Sequence, residues 1–202
     1  MLDATARRLI GSGLNDAGAW LADTGLKPNV VTIGGLAIGV FIIPVLAFEA
    51  YGLALIIVLF NRLLDGLDGA IARSSGITDL GGYLDIVADF LFYSAVPFGF
   101  ALARPDENAV ASAFIIFSFI GTGTSFLTYA TMAAKRGVTT EIRGPKSLYY
   151  LGGLTEGTET IAFLILICVF PNSFTLLAWI FGIACWVTTT FRIYAAVIEF
   201  AD

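Results

Sequence analysis

The chain has 202 residues, 57% of them hydrophobic and 13% charged, with a formal net charge of −5 and no histidine. Soluble domains carry about 25% charged residues, so the composition excludes an ordinary soluble domain and describes an integral membrane protein. No basic stripe is present to meet nucleic acid, and the lack of histidine removes imidazole metal ligands and imidazole general bases.

Residues 1–26 form a first segment. Leu9, Ile10, Leu14, Ala17 and Leu21 approximate one apolar face, with Arg7, Arg8, Asp16 and Asp23 elsewhere. An amphipathic helix of this kind lies in the membrane interface, or serves as a packing appendage. Gly11 and Gly13 weaken it as a helix. Asp16, Asp23 and several glycines interrupt any apolar run, so the segment is not read as a cleavable signal.

Residues 27–202 read as one membrane domain. A spanning helix needs about 20 mostly apolar residues. Six stretches qualify: Val30 to Phe48, Leu53 to Ile71, Tyr83 to Leu102, Val110 to Ala134, Leu154 to Phe170, and Phe174 to Val197. The expected fold is all-α and polytopic, with six transmembrane helices joined by short connections. Pro28 suits the start of the first span, and Gly35 with Gly39 makes a GxxxG of the kind that lets helices pack closely. Asp79 reads as a solvated or capping residue in the turn after the second span. Cys168 and Cys185 both fall inside spans and imply no disulfide framework.

Basic residues set the orientation. With a cytoplasmic N-terminus, Arg7, Arg8, Lys27, Arg73, Lys135, Arg136, Arg143 and Lys146 all lie in cytoplasmic segments, and Arg62 and Arg192 in the cytoplasmic halves of their helices. Arg104 alone falls outside.

Four carboxylates stand out against this apolar background. Asp65 and Asp68 share one helix face by their spacing, and so do Asp85 and Asp89. A short turn joins the two helices, which are expected to be antiparallel neighbours pointing both pairs at one space. Carboxylates at membrane depth are costly, and four together repel unless a cation sits among them. Oxygen-only ligands suit Mg²⁺, Mn²⁺ or Ca²⁺ rather than zinc. Gly66 and Gly69 beside them are expected to let a ligand approach the backbone, and Arg73 is placed to reach a phosphate.

The pattern Asp65-x-x-Asp68-Gly69-x-x-Ala72-Arg73, a spacer, Gly81-x-x-x-Asp85-x-x-x-Asp89 resembles the signature of the CDP-alcohol phosphatidyltransferase family. The spacer holds seven residues, one fewer than is usual. The stretch Lys27 to Thr32 also looks like the family's entry to its first core helix. The resemblance implies transfer of a phosphatidyl group from a CDP-linked lipid donor, such as CDP-diacylglycerol, to an alcohol, with release of CMP, in phospholipid biosynthesis. It implies two Mg²⁺ per active site, with Mn²⁺ as an alternative. Asp65, Asp68 and Asp85 would be metal ligands. Asp89 would bind the second ion and act as general base. Gly69, Ala72 and Arg73 would line the nucleotide pocket, supported by Asn29 and Thr32. A homodimer in a bacterial inner membrane is implied, with both termini and the active site on the cytoplasmic side.

The acceptor stays open. Lys135, Arg136, Arg143 and Lys146 form a basic cluster that suits a phosphorylated acceptor, or simply reflects topology and anionic lipid. Glu156 and Glu159 either meet acceptor hydroxyls or pair with Arg143, Lys146 or Arg192; the expected acceptor set is Lys135, Arg143, Lys146, Glu156 and Arg192. Two other readings compete. A membrane prenyltransferase also sets Asp motifs and Mg²⁺ against a diphosphate, but on separate, distant segments. A non-enzymatic cation transporter or channel would place its carboxylates near the bilayer midplane.

Overall fold

The computed structural model describes residues 2–137 and 153–201, with side chains from residue 13 onward. The described residues form helices α1 (Leu2–Asp23), α2 (Pro28–Val40), α3 (Ile42–Ala47), α4 (Tyr51–Ser75), α5 (Asp79–Ala103), α6 (Pro105–Lys135), α7 (Gly157–Val169) and α8 (Phe174–Phe200). Neither strands nor β-bridges occur among them.

The first expected span is interrupted. Pro44 has no N–H to offer the Val40 carbonyl, and the helix breaks at Phe41 into α2 and α3, which together cover Pro28–Ala47. Among the described residues, four segments are long and apolar enough to cross a membrane: Pro28–Ala47, Asp79–Ala103, Pro105–Lys135 and Pro171–Phe200. The other two expected spans differ for separate reasons. Helix α4 has the length, 25 residues, but carries Arg62, Asp65, Asp68 and Arg73. Helix α7 has only 13 residues, because Leu154 to Glu156 form its approach and cap.

Large apolar side chains cover the outside, Phe48, Val110, Phe191 and Ile56 among them. In water this would be prohibitive; in lipid it is the expected surface of an integral membrane protein. Inside, Ile42, Leu46, Val58, Phe92, Val96, Ile115, Leu164 and Ile167 form a continuous core. Phe100 stacks on Phe174 at 4.4 Å and on Tyr51 at 5.5 Å, tying α5 to α8 and α4. Nearby, Arg104 binds Glu49 at 2.7 Å and Asn172 at 3.0 Å, joining three connections at that end of the bundle.

Helices α4 and α5 do not pack as the neighbours their short turn implies. Their backbones hardly approach each other, and α2 packs against both. Small residues make this possible. Gly35 of α2 lies where a Cβ would sit 3.5 Å from Leu64, and Gly39 fits between Asn61 of α4 and Phe92 of α5, each 2.8 Å from a built Cβ. The GxxxG expectation therefore holds, with α2 as a wedge between the two Asp-bearing helices.

The N-terminal helix is also packed against the bundle. Gly18 is buried against Ala70 of α4, where an added Cβ would meet the Ala70 Cβ at 2.5 Å. Ala17, expected on the apolar face, is exposed instead. The face turns on Gly18 because the close crossing with α4 needs a residue without a side chain.

Candidate carboxylate centre

Helix α4 projects Asp65 and Asp68 and α5 projects Asp85 and Asp89. The turn between them is shaped by Gly76 at φ 108° and by Thr78, whose hydroxyl accepts from the Gly81 N–H at 3.1 Å. Thr78 is thus the cap, and Asp79 is exposed in the first turn of α5, favourable near a helix N-terminus.

One carboxylate oxygen from each of Asp65, Asp68 and Asp85 lies within 4.8 Å of the others. Oxygens around one Mg²⁺ at about 2.1 Å stand no more than about 4.2 Å apart, so a small inward movement closes the set on a cation. The donors are all hard oxygens, with no sulfur or imidazole, and the cluster fits a divalent metal. Asp68 is 5% exposed, and its Oδ2 accepts a 2.7 Å hydrogen bond from the buried Thr32 hydroxyl on α2.

Asp89, beside those three, has partners of its own. Its Oδ1 accepts a 2.7 Å bond from Arg62 Nη1, and its Oδ2 accepts from the Tyr93 hydroxyl at 3.2 Å. The same Nη1 lies 3.5 Å from Asp65 Oδ2 and donates to the Tyr93 oxygen at 3.1 Å. Arg62 Nε and Nη2 both donate to Asn61 Oδ1, and Asn61 Nδ2 is fixed to the Gly35 carbonyl at 2.8 Å. Below the guanidinium lie the Phe92 and Tyr93 rings at 4.9 and 5.2 Å. In the sequence Arg62 marks only the orientation of its helix. It precedes Asp65 by one helical turn, and that spacing, with the need of an intramembrane arginine for a partner, was the signal for its place.

A narrow cleft between α2, α4 and α5 is lined by Thr32, Gly35, Asn61, Arg62, Asp65 and Asp68. Asn29, at the start of α2, holds its Oδ1 buried and without a partner among the described residues, 3.3 Å from where a Gly81 Cβ would be. At Gly69, Arg73 Nη1 would lie 3.3 Å from a Cβ, and Arg73 Nη2 donates to Asn15 Oδ1 at 2.9 Å. The bare backbone of Gly69 thus makes room for the Arg73 guanidinium. The space at Gly66 is taken by Leu14 of α1, at 2.9 Å from a built Cβ, and is closed to a ligand. Ala72 is half-buried on the same helix.

The expected acceptor residues divide. Arg143 and Lys146 lie outside the described residues, and Lys135 is exposed in the last turn of α6. Glu156 and Glu159 form a reciprocal capping box at the start of α7, which accounts for their spacing. Arg192 is 7% exposed and donates from Nη1 to the Thr122 carbonyl at 3.0 Å, beside the Phe126 ring. Gly153 brings Glu156 and Arg192 into one neighbourhood. Its N–H donates to Glu156 Oε1 at 3.0 Å, and Arg192 Nη2 is 3.3 Å from its built Cβ. Phe90, next to Asp89, packs on Gly123, the residue after the Thr122 whose carbonyl Arg192 binds.

The bundle and its acidic centre define an integral membrane protein with a carboxylate cluster that fits a divalent cation. The family model of the CDP-alcohol phosphatidyltransferases matches residues 26–194, and the chain belongs to that family. It is therefore an enzyme of phospholipid biosynthesis that transfers a phosphatidyl or related substituted phosphoryl group from a CDP-linked lipid to an alcohol. It is 50% identical over 195 residues to the inner membrane protein YnjF of Escherichia coli, covering 96% of this chain and 95% of that one. It is 31% identical over 189 residues to the archaetidylinositol phosphate synthase of Pyrococcus horikoshii, covering 91% and 90%. In fold it is similar to the Mycobacterium tuberculosis phosphatidylinositol phosphate synthase with CDP-DAG bound, at a TM-score of 0.73 and 22% identity over 91% of this chain and 93% of that one. The manganese and citrate complex of that synthase gives a TM-score of 0.69 at 23% identity, over 90% and 87%.

Proposed function

We propose that the chain transfers the phosphatidyl group of a CDP-diacylglycerol-type donor to a phosphorylated polyol, with Asp65, Asp68 and Asp85 holding a divalent cation and Asp89 acting as general base. The observation that carries this division of roles is the geometry. Three carboxylates converge within 4.8 Å, while Asp89 beside them is engaged by Arg62 and Tyr93.

The roles follow from chemistry at those positions. Arg73 over Gly69, with Ala72, Asn29 and Thr32, forms the nucleotide side, where a guanidinium suits a phosphate and the buried Asn29 oxygen suits a donor group of the base or sugar. Bound Mg²⁺ or Mn²⁺ supplies positive charge against the diphosphate as CMP departs. The acceptor hydroxyl gives its proton to an Asp89 oxygen. Its oxygen forms the new bond to phosphorus, and the bond to CMP breaks with its electron pair going to CMP. The two-ion expectation is kept, with Asp89 as the second ion's ligand.

Arg192, buried among the described residues, is the cation we assign to an acceptor phosphate, with Glu156 nearby and Lys135, Arg143 and Lys146 completing the acceptor set. Relatives named as synthases of inositol-phosphate lipids support an acceptor of this kind. We read residues 1–26 as a segment at the membrane surface and 27–202 as the catalytic domain. We assign the centre and both termini to the cytoplasmic side of a bacterial inner membrane, consistent with the basic-residue distribution and with the name of the Escherichia coli relative, and the homodimer on the family resemblance alone.

The test is CMP release by purified protein from CDP-diacylglycerol and Mg²⁺ with a panel of alcohols, against an Asp89→Asn control. Release that requires one phosphorylated alcohol and requires Asp89 supports the proposal. Release with unphosphorylated alcohols alone, or full activity in Asp89→Asn, overturns it.

A further inference from the structure

Arg62 is the best-anchored side chain at the carboxylate centre. Its three nitrogens are all used: Nη1 on Asp89, Tyr93 and Asp65, and Nε and Nη2 on Asn61. Two aromatic rings lie against its plane, and its side chain is 11% exposed. Asn61, which receives two of the donors, is itself held on the Gly35 carbonyl of α2 at 2.8 Å. A planar fork with this many fixed partners is not a side chain swept in by chance. Arginine remains charged under all ordinary conditions, so Asp89 already has a permanent cation on one oxygen.

We infer that Arg62 is the resident counter-ion of Asp89, and that it makes divalent-ion loading sequential. The first ion enters at Asp65, Asp68 and Asp85. A second ion reaches Asp89 only by displacing the guanidinium. This inference rests on the reading of the aspartates as metal ligands given above.

Two consequences separate it from a merely structural ion pair. The two ions differ in affinity although both are faced by carboxylates. Removing the guanidinium also changes the second ion much more than the first. The first site has three carboxylates that Arg62 touches only through Asp65, at 3.5 Å. Asp89 is in direct contact at 2.7 Å. Displacing a charge-assisted bond of that length costs an incoming ion at least about tenfold in affinity, or about 1.4 kcal/mol.

The experiment is a Mn²⁺ titration of the purified full chain in detergent, followed by electron paramagnetic resonance, which counts free and bound ions without any turnover. The wild-type chain is expected to bind one ion tightly and a second at least about tenfold more weakly. In Arg62→Gln the ratio of the two constants falls at least about tenfold, while Arg62→Lys, which keeps the charge, stays nearer the wild type. Two equal ions in the wild-type chain overturn the inference, and so does an unchanged ratio in Arg62→Gln. If Arg62→Gln fails to fold, Asp89→Asn decides. It keeps the tight ion and loses the weak one if the inference holds, and loss of the tight ion overturns it. A wild-type chain that binds no ion, like Asp68→Asn, overturns the metal reading itself and the inference with it.

Discussion

Asn15 on α1 accepts a 2.9 Å hydrogen bond from Arg73 on α4, across 58 residues of sequence. The contact is held in register on both sides, by Leu14 seated at Gly66 and by Gly18 against Ala70. The N-terminal helix thereby steadies the guanidinium assigned to the donor phosphate. Gly18→Val is expected to force α1 off α4, at about 1–3 kcal/mol of strain, and to raise KM for the CDP-linked donor more than it lowers kcat. Asn15→Ala should give a milder version, two- to tenfold in KM, as expected for one hydrogen bond of about 0.5–1.5 kcal/mol. Steady-state kinetics with the donor varied checks both. An unchanged KM in each would remove α1 from the site.

Asp68→Asn should leave a folded protein and lower kcat by about a hundredfold or more. The amide keeps the shape and can still meet Thr32, but it removes one of three converging negative charges. Activity and thermal unfolding in the same detergent separate the two effects. Full activity in Asp68→Asn would contradict the ligand assignment.

Thr32→Val deletes the only hydroxyl that the described residues show bonded to Asp68. Groups that orient a metal ligand typically cost 10–100-fold in metal affinity when removed. The apparent affinity for Mn²⁺ should fall by about that factor while saturating metal restores most of the rate. A loss of rate that metal does not restore would assign Thr32 to the donor instead.

At the far end of the bundle, the hydrogen bond from Arg104 holds the Glu49 carboxyl below its usual range, aided by the guanidinium charge. A depressed carboxyl pKa stabilises the fold above the unfolded value of about 4.3, and the contribution is lost as pH falls through the lowered folded value. The melting temperature of Glu49→Gln should therefore lie below that of the wild type at pH 7, and the two should converge as pH falls through the lowered folded value. The pair is exposed, so the gap is small. A gap that persists in acid would show that the difference does not come from the Glu49 charge.

The carboxylate pairs and their helices were legible because charges inside apolar runs have few explanations. Their surroundings were less so. Gly66 and Gly69 both read as open backbone, yet one receives Leu14 and the other Arg73, because sequence shows a missing side chain without showing which neighbour uses the space. The placement of α2 between α4 and α5 reversed the usual rule that a short turn makes packed neighbours, and only the positions of Gly35 and Gly39 hinted at it. Arg62 was visible as a residue but not as a partner, since Asp89 lies 27 positions away on another helix. Glu156 and Glu159 carried a spacing that fits a capping box as well as a binding pair, and the cap is what forms. The short α7 was overestimated because Leu154 extends the apolar run past the point where the helix begins.

The break at Phe41 divides one membrane crossing into two levers. One lever, α2, carries Thr32, Gly35 and the cleft wall; the other, α3, carries Ile42 and Leu46 into the core. A continuous helix would transmit any push on the wall straight into that core. With the Val40 carbonyl freed by Pro44, bending at Phe41 costs less than bending elsewhere. The break therefore lets α2 follow the line of the cleft and α3 the line of the core, each along its own axis.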